Sequence, residues 1–263
     1  MSKKSSALAA AGILAAAVVL SGFSIYKDSH QKNSTDGTIT LRMAQTSSQA
    51  GAIGQSMEAF ADRIYDETKG KYKIETYHNG QLGAEIDTIE GCQMGTIDIA
   101  VVNQSTIGNF INDFQALDIP YLITSTEQAD AVFLGDIGTR FLDKLSGVQL
   151  YGLGIWESGF RNLTNSKRDV NSVDDVAGLK IRTMENPNHI AYWQALGANP
   201  TPADFSELYM SLEQGTLDAQ ENPYDLIVAN KLYEPQAYVI ETNHLLHTLN
   251  MVGSKATYDA LPA

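Results

Sequence analysis

Between Thr38 and Asn103 the sequence changes its hydrophobic period four times. "TITLRMAQTS" (Thr38–Ser47) alternates apolar and polar residues, the period of a half-buried strand. "AIGQSMEAFADRIYDETKGKY" then spaces Ile53, Met57, Phe60, Ala61 and Ile64 three or four apart, with Gly70 placed to stop a helix. "KIETYHNG" reads as a second strand, "AEIDTIEGCQMG" as a second helix and "TIDIAVVN" as a third strand. Strand, helix, strand, helix, strand is the order of an α/β fold in which parallel strands are joined by helices.

The closing phrase of that series returns later. "EGCQMGTIDIA" (Glu90–Ala100) and "MSLEQGTLDAQ" (Met210–Gln220) both run from a helical segment through Gly-Thr into a short strand. Gly95 and Gly215 are each positioned to close a helix in the left-handed conformation. A polar turn follows each strand, Asn103-Gln104 in one place and Glu221-Asn222-Pro223 in the other. Two α/β lobes of related design are expected. A crevice at the carboxyl ends of such strands is where small ligands bind.

The start of the chain has a different character. Lys3 and Lys4 precede the apolar run Ala7–Leu20, and a polar tract leads to Gly37. That order is the order of an export signal, and the run is short for a bilayer span. Residues 1–37 are therefore expected to be an export segment, or a retained anchor with its linker. Position 23 is Phe, so a lipid-attachment cysteine is not supported. The expected location is extracytoplasmic, in a periplasm or on the outer face of the membrane.

Charge and cysteine narrow the function classes. A net charge of −13 argues against nucleic acid, whose phosphates require a basic face. Cys92 is the only cysteine, so no intramolecular disulfide can form. Zinc-type spacing, a phosphate-binding glycine loop and a nucleophile elbow are all missing, and neither a metal nor a cofactor is expected. An enzyme would need a nucleophile, a base or a metal in the crevice. His78, His189, His244 and His247 read as scattered through surface-like contexts, and Cys92 falls inside a helix, so no catalytic constellation emerges.

Three features point at the crevice instead. Arg182 stands in the strand "LKIRT", on the face opposite Leu179 and Ile181; solvent could equally occupy that face. Arg161 follows a glycine in "ESGFRNLTNSK", and could be a surface-loop charge. Asn222 follows the second short strand, and could be a turn residue before Pro223. Two guanidinium forks and an amide would clamp an organic acid, because arginine donates two parallel hydrogen bonds to a carboxylate.

The stretch "GLKIRTMENPNHIAYWQALGANPTPADFSELYMSLEQGTLDAQENP" resembles the signature region of the substrate-binding proteins of tripartite ATP-independent periplasmic (TRAP) transporters, the DctP type. "QLGAEIDTIEGCQMGTIDIAVVN" is similarly close to the first-lobe pattern, and the resemblance covers most of Thr38–Ala263. It implies a two-lobed fold that closes around a small organic acid, such as a C4-dicarboxylate or a sugar acid, and passes it to membrane permease subunits. It implies lobes at 38–158 and 159–246, with a return toward the first at 247–263. Arg182 matches the arginine that pairs with the ligand carboxylate, Arg161 the second basic position, and Asn222 the amide of the "QENP" turn.

By the same resemblance Asn103 and Trp156 are candidate wall residues, with a turn cap and a core aromatic as their alternatives. Glu85 and Asp87 stand in a loop that faces the crevice, and also at a helix start, where carboxylates are favoured by unpaired amides. Met184, Tyr192 and Trp193 read as packing residues. The resemblance predicts further helices after Ala263, so a fragment is expected. A tethered sensor module built on the same lobes is the alternative function.

Overall fold

A computed structural model describes residues 37–261; the N-terminal apolar run, and with it the export reading, lies outside the described residues. The strands are β1 (Ile39–Ala44), β2 (Tyr72–Tyr77), β3 (Ile99–Asn103), β4 (Leu150–Asn165), β5 (Lys180–Thr183), β6 (Asn199–Pro202), β7 (Ala219–Asn222) and β8 (Tyr238–Ser254). The helices are α1 (Ala52–Glu67), α2 (Glu85–Met94), α3 (Gln104–Ile107), α4 (Thr126–Phe133), α5 (Asp136–Lys144), α6 (Pro187–Ala195), α7 (Leu208–Glu213), α8 (Tyr224–Ala229) and α9 (Lys255–Ala260). Among the described residues no helix is long and apolar enough to cross a membrane.

The strands form one sheet in the order β2-β1-β3-β8-β4-β7-β5-β6. In the first lobe β1 pairs in parallel with both β2 and β3. In the second, β5 pairs in parallel with both β6 and β7. The repeated Gly-Thr phrases thus lead into β3 and β7, the strand of each lobe that borders the centre of the sheet. Gly95 and Gly215 both take positive φ, 74° and 68°, where a side chain would be strained.

The sheet is not parallel throughout. Its two central strands, β4 and β8, are long, antiparallel to each other and run through both lobes. Their ladder is interrupted between Glu157 and Phe160 and again between Arg161 and Leu163, with Gly159 at φ 89° inside the first interruption. "ESGFRNLTNSK" is therefore mostly strand rather than loop, and Arg161 lies between two bulges that turn its side chain out of a regular register.

Why β3 reads as an unbroken apolar run follows from its position. Ile99 and Val101 point to a core with Leu41, Met43, Met57 and Ala61, whereas Ala100 and Val102 point to a second core with Ile89, Cys92 and Phe114. Helix α1 covers one face and α2 the other, so neither side of the strand can be polar. The second lobe has its own core of Leu163, Ile181, Trp193 and Ala219.

Candidate functional site

The carboxyl ends of β1, β3, β5 and β7 converge on a cavity of about 600 Å³, counted with its open mouth. Its lining includes Gln45 after β1, Asn103 at the end of β3, Arg182 and Met184 at the end of β5, and Asn222 at the end of β7. Apolar wall comes from Val101, Phe205, Leu226 and Leu249.

Arg182 is 4% exposed. Ile181 beside it faces the second-lobe core, and strand alternation sends Arg182 to the cavity side. Its Nε donates to the Ala203 carbonyl at 2.9 Å, and its guanidinium carbon lies 5.9 Å from the Phe205 ring centre. Among the described residues Nη1 and Nη2 have no protein acceptor. Burial, with Arg161 nearby, lowers the guanidinium to about 10, which still leaves it a cation at neutral pH. The result is a buried fork with two free arms beside a hole.

Arg161 is 1% exposed and lines the same cavity, but its donors are largely taken. Nε and Nη2 bind the two carboxylate oxygens of Glu221, Nη2 also reaches the Glu221 carbonyl, and Nη1 meets His247 Nδ1. One Nη1 hydrogen is left for anything in the cavity. Burial alone would raise the Glu221 carboxyl, yet Arg161 and the hydrogen bonds from His189 and His244 hold it well below the usual carboxylate range.

The histidines correct the sequence reading: His78, His189, His244 and His247 are all buried. His244 Nε2 lies 3.1 Å from Glu221 Oε2, and His189 Nδ1 lies 3.5 Å from Glu221 Oε1. On its other side His189 Nε2 approaches Asp118 of the first lobe at 3.4 Å. Burial and Arg161 push His247 far below the ordinary imidazole value; burial also lowers His244. His189 goes the other way, because Asp118 and Glu221 flank it and outweigh its burial. Among the described residues no group of these side chains is arranged to hold a metal.

The remaining candidates divide. Asn103 lines the cavity and also caps α3, its Oδ1 accepting from Ser105 N at 2.9 Å while Nδ2 meets His247. Asn222 lines the cavity with its Nδ2 bound to Gln220 Oε1 at 2.6 Å. Glu85 lines it too, and its carboxylate accepts from Asn103 N and the Thr106 hydroxyl. Burial raises its carboxyl against those two bonds and the pull of Arg182. Asp87 caps the start of α2 by accepting from Ala84 N at 2.9 Å. Trp156, half-buried, packs against the Leu41, Met57 and Leu249 cluster and is not among the residues that line this cavity. Met184, read as packing, is buried and also borders the cavity.

Two comparisons decide the family. Residues 43–263 match DctP, the bacterial extracellular solute-binding protein family 7. The chain belongs to this family. A solute-binding protein of Verminephrobacter eiseniae is 38% identical over 224 residues, 85% of this chain and 67% of that protein. The 2,3-diketo-L-gulonate-binding periplasmic protein of Escherichia coli is 34% identical over 222 residues, 84% of this chain and 68% of its own length. Among solved DctP-type structures, a sugar acid binding protein of Advenella mimigardefordensis in complex with galactonate superposes with a TM-score of 0.84 at 35% identity, over 86% of this chain and 73% of that one. A TRAP periplasmic solute-binding protein of Sulfurospirillum deleyianum with bound succinate gives 0.83 at 27% identity, over 85% and 72%. The expected two-lobed fold and solute-binding class are therefore those of the DctP family. Cys92, in turn, is buried in a core where desolvation raises its thiol, the opposite of what a nucleophile needs.

Proposed function

We propose that this protein captures a small organic acid on the Arg182 fork and hands it to TRAP membrane permease subunits outside the cytoplasm. The supporting observation is the buried guanidinium whose two terminal nitrogens lack a protein acceptor at the cavity wall. A carboxylate supplies two oxygens in the spacing of those nitrogens. Asn222 and Asn103 add polar wall from the two lobes, Glu85 adds an acceptor, and Arg161 adds its one remaining hydrogen.

Magnitudes say how much each part must do. Two charge-assisted hydrogen bonds from Arg182 contribute roughly 3–6 kcal/mol gross. Micromolar affinity needs about 8 kcal/mol net. The difference, and the cost of ordering the ligand, falls to the apolar wall and the other polar contacts. The lobe limits assigned are 38–158 and 159–246, with the return at 247–263. Both crossings fall in the irregular part of the β4–β8 ladder, where bending is cheapest, and a ligand that touches both sides favours closure.

Calorimetric titration with matched pairs tests the reading: succinate against succinamide, and galactonate against galactonamide. Binding of at least one acid, with its amide at least tenfold weaker, is expected. Equal binding of acid and amide, or no binding by any acid of a broad panel, would overturn it.

A further inference from the structure

Helix α1 begins without a cap of its own. Its N-cap is Gly51, which has no side chain to accept a hydrogen bond, and its first turn holds no acidic residue. The unpaired amides of a helix start are normally served by Ser, Thr, Asp or Asn at the cap, or by a carboxylate in the first turn. Here the acceptor comes from far along the chain. Both carboxylate oxygens of Asp225, in the first turn of α8, accept from Ala52 N, each at 3.2 Å. At the other end of α8, Asn230 Oδ1 accepts from Ser48 N at 3.1 Å. Two side chains of one short helix thus hold the loop and helix start that follow β1.

Adjacent residues of α8 face different cores. Ile227 packs with Leu208, Leu212, Leu217 and Leu232, whereas Leu226 enters the cluster of Leu41, Ile53 and Met57 on β1 and α1. On the lobe limits assigned above, α8 belongs to the second lobe and reaches into the first. Gly51 is buried in the seam, and a Cβ there would meet Ala229 Cβ at 3.0 Å and Asp225 Oδ2 at 3.2 Å. Its φ of −77° suits any residue, so this glycine serves close approach and not a turn. The seam is also cavity wall: Thr46, Ser47 and Ile53 line the cavity from one side and Leu226 from the other. Asp225 and Asn230 are not among the lining residues, so an effect of either on binding must pass through the wall they hold together.

We propose that the α1–α8 seam is a clasp between the lobes, with Asp225 and Asn230 as positioning residues that slow release of the bound acid. The proposal rests on the organic-acid reading above and adds the contact that holds the cleft shut. In an open cleft Ala52 N and Ser48 N are served by water. A contact made only in the closed form raises affinity by favouring that form, and it does so equally for every acid.

The test is calorimetry and stopped-flow release on the full chain, with galactonate and succinate as probes, beside thermal unfolding of the free protein. Asp225→Ala should weaken whichever probe wild type binds about fivefold, the effect of losing one helix cap, and the loss should appear as faster release. The melting temperature of the free protein should change little. Asp225→Asn also caps a helix and should keep most of the wild-type affinity. Gly51→Ala should speed release as well, and adding Ala229→Gly, which removes the facing methyl, should restore part of the lifetime. A seam that is a fixed part of the fold gives the opposite pattern: Asp225→Ala lowers the melting temperature and leaves the release rate unchanged. That result would overturn the clasp and leave the organic-acid reading standing; failure of wild type to bind either probe or any other acid would remove both.

Discussion

Two arginines are buried on one cavity, and their surroundings differ. Arg161, between the bulges of β4, is held by both oxygens and the carbonyl of Glu221 and by His247. Arg182, near the end of β5, spends one nitrogen on a backbone carbonyl and keeps two for the cavity. Burial alone does not mark a ligand-binding cation. What marks it is the number of donors the protein leaves unpaired, because an isolated buried charge must find a partner or be destabilised. The region around Arg161 is a closed network joining β4, β7 and β8, whereas Arg182 keeps two nitrogens without a protein acceptor among the described residues.

The largest effect should come from opening the closed network. Glu221→Gln leaves Arg161 buried without its counter-charge, which typically costs about 3–5 kcal/mol, or roughly 10 °C in melting temperature for a chain of this size. The double variant Arg161→Met with Glu221→Leu should recover part of that loss, since both charges go together. Thermal unfolding of the two would break the contrast if the single variant melted like wild type.

Acid should also act on this region. His244 and His247 have depressed values in the folded chain, so the unfolded chain takes up protons first as pH drops below about 6.5, and stability falls with it. His189 is raised, so its contribution is complete below about 6.5 and is lost as pH rises through its folded value; it offsets part of the fall. Glu221, held well below 4.5, gives up its contribution only in stronger acid. Melting curves of wild type and His247→Gln between pH 7 and 5 should differ in slope by roughly 1 kcal/mol per unit at most, with the variant less acid-sensitive. Parallel slopes would detach His247 from the network.

The smallest effect should come from outside both regions. Trp156→Phe trims a core aromatic and should cost about 1 kcal/mol of stability. Affinity for any acid that wild type binds should stay within a factor of two. A tenfold loss in the same titration would return Trp156 to the cavity wall.

Much of this was readable in advance wherever the signal was local. The Ile53, Met57 and Ala61 spacing is the buried face of α1, and the glycine stops at 95 and 215 both take positive φ. Asn103 and Asn222 stand where short strands end, and the order of motifs placed them together. The closed network was not readable, because its members come from β4, β7, β8 and α6; Glu221 and His247 lie 60 and 86 residues from Arg161. One signal was present. Gln220, Glu221 and Asn222 are three consecutive polar residues in a strand whose every position is buried, and such a run needs internal partners. The long central strands were also missed, since the glycines that bend β4 look like loop residues when its partner strand is out of view.

Arg182→Lys, titrated by calorimetry with whichever acid wild type binds, puts the account to its most direct trial. Lysine keeps the positive charge and loses the fork, so affinity should fall at least tenfold while the melting temperature of the free protein changes little. Equal affinity in the two proteins would show that the carboxylate is held elsewhere.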